Sequence, residues 1–141
     1  MTQPEETLVE VLNVDFLLHR QIFPSYIHEG RPTKRVFKPR GVDNGLLSTH
    51  KTTSRAMKES CRIYREILNR PSGGVAPLTV GEVNSVSLKV FEDPTHSEKP
   101  EAVEFEKDHC VVDFRGLEVT GIDAKAIKLL DLAITRGPFI L

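Results

Sequence analysis

Arg20 is the first residue whose surroundings raise a question of chemistry. Residues 15 to 22, Asp-Phe-Leu-Leu-His-Arg-Gln-Ile, read as a strand, and strand alternation puts Arg20 on the same face as Phe16, Leu18 and Ile22. A guanidinium on an apolar face is costly unless it meets a carboxylate, backbone carbonyls or a bound phosphate. A structural ion pair is the expected solution, and anion binding is the functional alternative. Shortly after it come Arg31, Lys34, Arg35, Lys38 and Arg40 with Tyr26 and Phe37 among them, the densest positive stretch in the chain. Such cations can neutralise nucleic-acid phosphates while an aromatic ring stacks on an unpaired base, or they can face an acidic protein. A solvated basic edge is the plainer explanation of the same stretch. No helix-turn-helix, zinc-finger or RNA-recognition signature accompanies it.

The remaining polar candidates are dispersed. The histidines are His19, His28, His50, His96 and His109, none in Cys-x-x-Cys or His-Glu-x-x-His spacing, so no metal site is expected. His109 and Asp113 share a strand face with Val111, which would let Asp113 orient the imidazole. No Gly-x-Ser-x-Gly turn is present, and Cys61 falls on the apolar face of a helical pattern, where a thiol is inert. Arg55, Lys58, Arg62 and Arg65 share a helix face, but Glu59 and Glu66 lie four residues after Arg55 and Arg62 and supply local ion pairs.

One ordered set of residues resembles a known enzyme class. Arg20, then Ser48-Thr49, then Glu104-Phe105-Glu106 is similar to the strand arginine, Ser-Thr strand and Glu-x-Glu element of the Arg-Ser-Glu type of ADP-ribosyltransferase. The resemblance implies that Arg20 holds the phosphates of a nicotinamide dinucleotide, that Ser48 and Thr49 shape the nicotinamide pocket, and that Glu106 stabilises the ribosyl cation. Outside that resemblance no cofactor is implied.

These residues must be positioned by an α+β fold. Strands are predicted at 7–12, 15–22, Lys34 to Lys38, Leu46 to His50, 76–82, 85–92 and His109 to Phe114, from β-branched and aromatic content bounded by turn residues. Residues 24–33 read as a loop and 41–45 as a turn. A helix is predicted over Thr53 to Asn69, with Met57, Cys61, Tyr64 and Leu68 on one face and Thr53 or Ser54 as N-cap. A second runs from about Ile122 to Thr135, with Ile127, Leu130 and Ile134 buried and Gly137 at its stop. Residues 93–108, acidic and containing Pro94 and Pro100, read as an exposed connection. The expectation is one mixed or mainly antiparallel sheet with two principal helices packed against it. Alternating βαβ order, the mark of a doubly wound dinucleotide fold, is absent.

The 141 residues suit a single domain, read as 7–141 after a flexible stretch at 1–6. No apolar run nears the roughly 20 residues that span a bilayer, and the opening Met-Thr-Gln-Pro-Glu-Glu lacks the features of a signal peptide, so a cytoplasmic protein is expected. Net charge is −1, yet residues 19–70 hold 12 Lys and Arg against 4 Asp and Glu, while residues 75–141 hold 7 against 12. The functional expectation is a small accessory protein acting through this charged surface in a multi-protein complex, with Arg31, Lys34, Arg35, Lys38 and Arg40 contacting the partner. The ADP-ribosyltransferase-like enzyme is the alternative, and a nucleic-acid-binding module a further one.

Overall fold

In a computed structural model, described for residues 8–141, the chain forms one seven-stranded sheet flanked by helices. The expectation for residues 1–6 lies outside the described residues. The elements, in chain order, are β1 (Val9–Glu10), β2 (Leu17–Gln21), β3 (Ile27–His28), β4 (Arg31–Pro32), β5 (Leu46–Thr52), α1 (Met57–Arg62), β6 (Gly74–Thr79), α2 (Val80–Ser85), β7 (Lys89–Glu92), α3 (Val103–Lys107), β8 (His109–Asp113), α4 (Val119–Arg136) and β9 (Phe139–Ile140). The strand order is β1-β7-β8-β5-β2-β6-β9, with β3 and β4 forming a separate hairpin. Every pairing is antiparallel, so the α+β class holds and the sheet has no parallel pair. No helix is long and apolar enough to cross a membrane among the described residues.

The two faces of the sheet carry different chemistry. Leu18, Ile22, Leu47, Ala76, Leu78, Val90 and Val112 join Ala126, Leu129 and Ala133 of α4 in the main apolar core. The opposite face is covered by α1 and α3 and holds polar side chains. There the register pairs His19 with His50 and His50 with His109, so three imidazoles cross β2, β5 and β8 in one lateral row.

Several elements depart from expectation for physical reasons. Residues Lys34–Phe37 form a 3-10 turn instead of a strand, which lets the consecutive Val36 and Phe37 both be buried; a strand would send one of them outward. Residues 80–85 are helix α2 and not strand. Thr79 Oγ1 accepts from Glu82 N at 3.1 Å and Glu82 Oε1 accepts from Thr79 N at 2.8 Å, a reciprocal cap that starts the helix. The 93–108 connection is not simply exposed. Pro100 opens a 3-10 turn leading into α3, and Ala102, Phe105 and Glu106 are buried while Glu101 and Glu104 face outward.

Helix α1 begins later than predicted. Thr52 Oγ1 accepts from the N–H groups of Ser54 and Arg55 in a turn that precedes it, and Ala56 is the N-cap in place of Thr53 or Ser54. From Ile63 to Ile67 the helix widens to a π-turn, with Leu68 N bonded to Ile63 O at 2.9 Å. Helix α4 is longer than predicted and rotated. Ile127 is 42% and Ile134 48% exposed, and Leu130 is only partly buried. Ala126 and Ala133 face the sheet with Leu129, because small side chains let the helix approach closely. Beyond Gly137 the chain returns as β9 on the edge of β6. Gly74, at φ +150°, has no room for a side chain there: a Cβ would lie 2.1 Å from Phe139 O.

Candidate functional site

The sheet parts at its centre. β2 and β5 pair only from Leu17↔Thr52 to His19↔His50; beyond that β2 continues on β6 as far as Gln21, and β5 continues on β8 as far as Leu46. Arg20 is the first residue of β2 past the last shared pair. Its Nε donates to Val36 O at 2.7 Å and its Nη1 donates across the opening to Ser48 O at 3.1 Å. The guanidinium thus meets backbone carbonyls, where an ion pair was the expected partner. Burial lowers its pKa without removing its charge. Among the described residues these are the hydrogen bonds the guanidinium makes.

Ser48 lies on the other side of that opening. In β8, β5, β2 and β6 it alone is exposed, although β5 is the middle strand of seven. Its Oγ lies 3.1 Å from His109 Nε2. The other ring nitrogen, Nδ1, faces Asp93 O at 2.8 Å and Asp93 Oδ2 at 3.4 Å. Two acceptors at Nδ1 fix the proton there, leaving the Nε2 lone pair to accept from the serine hydroxyl. Asp113, the expected orienting carboxylate, instead accepts from Arg115; Asp93, at the end of β7, takes that place. Thr49 points to the opposite face and donates to Cys110 O at 3.2 Å.

His50, next in the imidazole row, lies edge-on to His109 with ring centroids 5.2 Å apart and stacks on Phe105 at 3.8 Å. Burial pushes its pKa down to about 4 against the opposing pull of Glu106. His50 Nε2 meets Glu106 Oε1 at 3.2 Å, and Arg70 Nη2 meets Glu106 Oε2 at 3.3 Å. The bond to His50, with Arg70 nearby, holds the Glu106 carboxyl below its ordinary range, so a neutral imidazole donates to an ionised carboxylate. His19 completes the row: it is fully buried, its Nδ1 pairs with Ser60 Oγ at 2.6 Å, and its pKa is pushed down to about 4 by burial, then by Arg55 and His50. His19 Nε2 and Arg55 Nη1 are both buried without a hydrogen-bond partner. Among the described residues no group of three or more His, Cys, Asp or Glu could hold a metal ion.

The basic stretch is largely engaged within the chain. Lys34 and Lys38 reach the two carboxylate oxygens of Asp123 at 2.8 and 3.0 Å. Arg40 pairs with Asp43 and lies over the Phe23 ring. Arg35 lies 4.5 Å from the Tyr26 ring centroid. The lopsided charge is partly complementarity within the molecule: Asp108 pairs with Arg55 at 2.8 Å, and Glu101 meets Arg62 at 3.5 Å.

Sequence reasoning picked out Arg20, Ser48 and Glu106; the Arg20 guanidinium reaches the main-chain carbonyl of Ser48, while the Ser48 and Glu106 side chains lie on the imidazole face of the sheet. Glu106 joins through His50 from α3, not from a strand. Asp93 and the Ser48–His109 pair were missed because partners 61 residues apart become neighbours only through the β5–β8 pairing. No protein-family model, curated protein or solved structure shows significant similarity to the chain.

Proposed function

We propose that this protein is an ADP-ribosyltransferase-like enzyme that binds a nicotinamide dinucleotide where β2 and β5 part. The observation that carries the reading is the hydrogen bond from Arg20 Nη1 to the main-chain carbonyl of Ser48 across that opening, which brings together two positions of the set by which the sequence resembles the family. An arginine satisfied only by carbonyls retains its full charge and can exchange those bonds for a pyrophosphate. Exposed Ser48 offers a hydroxyl to the nicotinamide end. Ionised Glu106 supplies the negative charge that a ribosyl cation requires, with His50 and Arg70 holding it in position.

The reading is tested by incubating the protein with a nicotinamide dinucleotide and following nicotinamide release and labelling of target protein. Arg20→Ala and Glu106→Ala should each abolish both signals. Full turnover in either variant would refute it.

A second reading is the cytoplasmic accessory protein that binds another protein, or nucleic acid, through its basic surface. Arg31 and Arg35 favour it, because neither forms an ion pair among the described residues. The engagement of Lys34, Lys38 and Arg40 with carboxylates of this chain leaves that surface with less free charge than the sequence suggests.

A further inference from the structure

We infer that Ser48 is an activated nucleophile, with His109 as its general base and Asp93 orienting the imidazole. The inference goes beyond the dinucleotide reading and does not rest on it. It stands on three observations: an exposed serine in the middle strand, the 3.1 Å approach of its Oγ to His109 Nε2, and the Asp93 oxygens 2.8 and 3.4 Å from Nδ1. Nucleophile, base and orienting acceptor stand in the order that hydroxyl activation requires. His109 is anchored in β8, and its side chain is only 13% exposed, so the ring is held rather than free to rotate in solvent.

The substrate class is a carboxylic ester. Ser48 Oγ attacks the carbonyl carbon as its proton passes to His109 Nε2, and the alcohol leaves with that proton. Water then attacks the acyl-serine and gives a proton to Nε2, which returns it to Ser48 Oγ. The net change is ester plus water to acid plus alcohol.

The test is labelling of the folded protein by a fluorophosphonate probe, in which Ser48 Oγ forms a bond to phosphorus, fluoride departs and the hydroxyl proton goes to His109. Peptide mass spectrometry should find the label on Ser48, and Ser48→Ala should lose it. His109→Ala should slow labelling about a hundredfold or more, the usual contribution of a general base, with partial recovery on adding imidazole. Asp93→Asn should slow it less, because the Asp93 backbone carbonyl still holds Nδ1. His109→Gln, checked for an unchanged melting temperature, replaces His109→Ala if the latter unfolds. Labelling spread over several serines, absent from Ser48, or equally fast without His109 would overturn the inference. The probe contains no dinucleotide, so its result is separate from that of the turnover assay.

Discussion

His50 lies flat against Phe105, ring centroids 3.8 Å apart and 15° from parallel, while its Nε2 meets the Glu106 carboxylate at 3.2 Å. Consecutive residues of α3 thus hold one imidazole by its face and by its edge. The helix docks on the sheet through this contact, which also makes His50 the link between Glu106 and the Ser48–His109 pair.

Truncating the stacking partner should therefore cost stability and also disturb the imidazole. Phe105→Ala should lose about 3 to 5 kcal/mol of stability in chemical denaturation, the usual cost of deleting a buried aromatic ring. It should also raise the His50 pKa from about 4 toward 6.5, read by NMR titration, because water then reaches the ring.

The two buried histidines make folding sensitive to acid. Their pKa in the folded state, about 4, lies below the ordinary value of 6.5, so the unfolded chain binds more protons between these limits. Their neutral forms contribute fully above about pH 6.5, and that contribution is lost as pH falls toward 4. A shift of this size amounts to roughly 3 kcal/mol for either residue. Denaturation midpoints measured from pH 7 to pH 4 should fall steeply, and His19→Gln should flatten the dependence.

Helix α2 depends on its cap. Thr79→Ala removes the acceptor for Glu82 N and should cost about 1 kcal/mol. Glu82→Ala removes both the reciprocal bond to Thr79 N and the partner of Arg136, whose Nε lies 2.6 Å from Glu82 Oε1, and should cost at least as much. Urea denaturation of the two variants checks this.

The two functional readings part at the basic surface. If an anionic partner binds there, reversing Arg31 and Arg35 to Glu should abolish co-purification of that partner with the folded protein. Affinity for nucleic acid should fall steeply with salt. If the dinucleotide reading is right, the same double variant should leave nicotinamide release unchanged.

Most of the scaffold was legible from periodicity. β2, β5 and β8 alternate or run apolar between turn residues, and α1 and α4 carry the helical period with stops at Pro71 and Gly137. What misled was local. The run from 76 onward is apolar enough for strand, but Thr79 and Glu82 carry the capping spacing that turns it to helix. The acidic charges of 93–108 concealed the buried Ala102, which caps α3, and Phe105 three residues later within it. In α4 the bulky Ile127 and Ile134 suggested the inner face, which belongs to Ala126 and Ala133. The site was legible only in pieces. Arg20 could be placed on its strand face, but its carbonyl partners depend on how β2 and β5 separate, and Asp93 reaches His109 only because β7 pairs with β8. Long-range strand pairing is not written in any local pattern.

The most direct measurement is isothermal titration of a nicotinamide dinucleotide into the wild-type protein and into folded Arg20→Ala. The account predicts saturable binding to the wild type and at least about a tenfold loss of affinity in the variant, the size expected for a charge-assisted contact to phosphate. No saturable binding to the wild type, or equal affinity for both proteins, would contradict it.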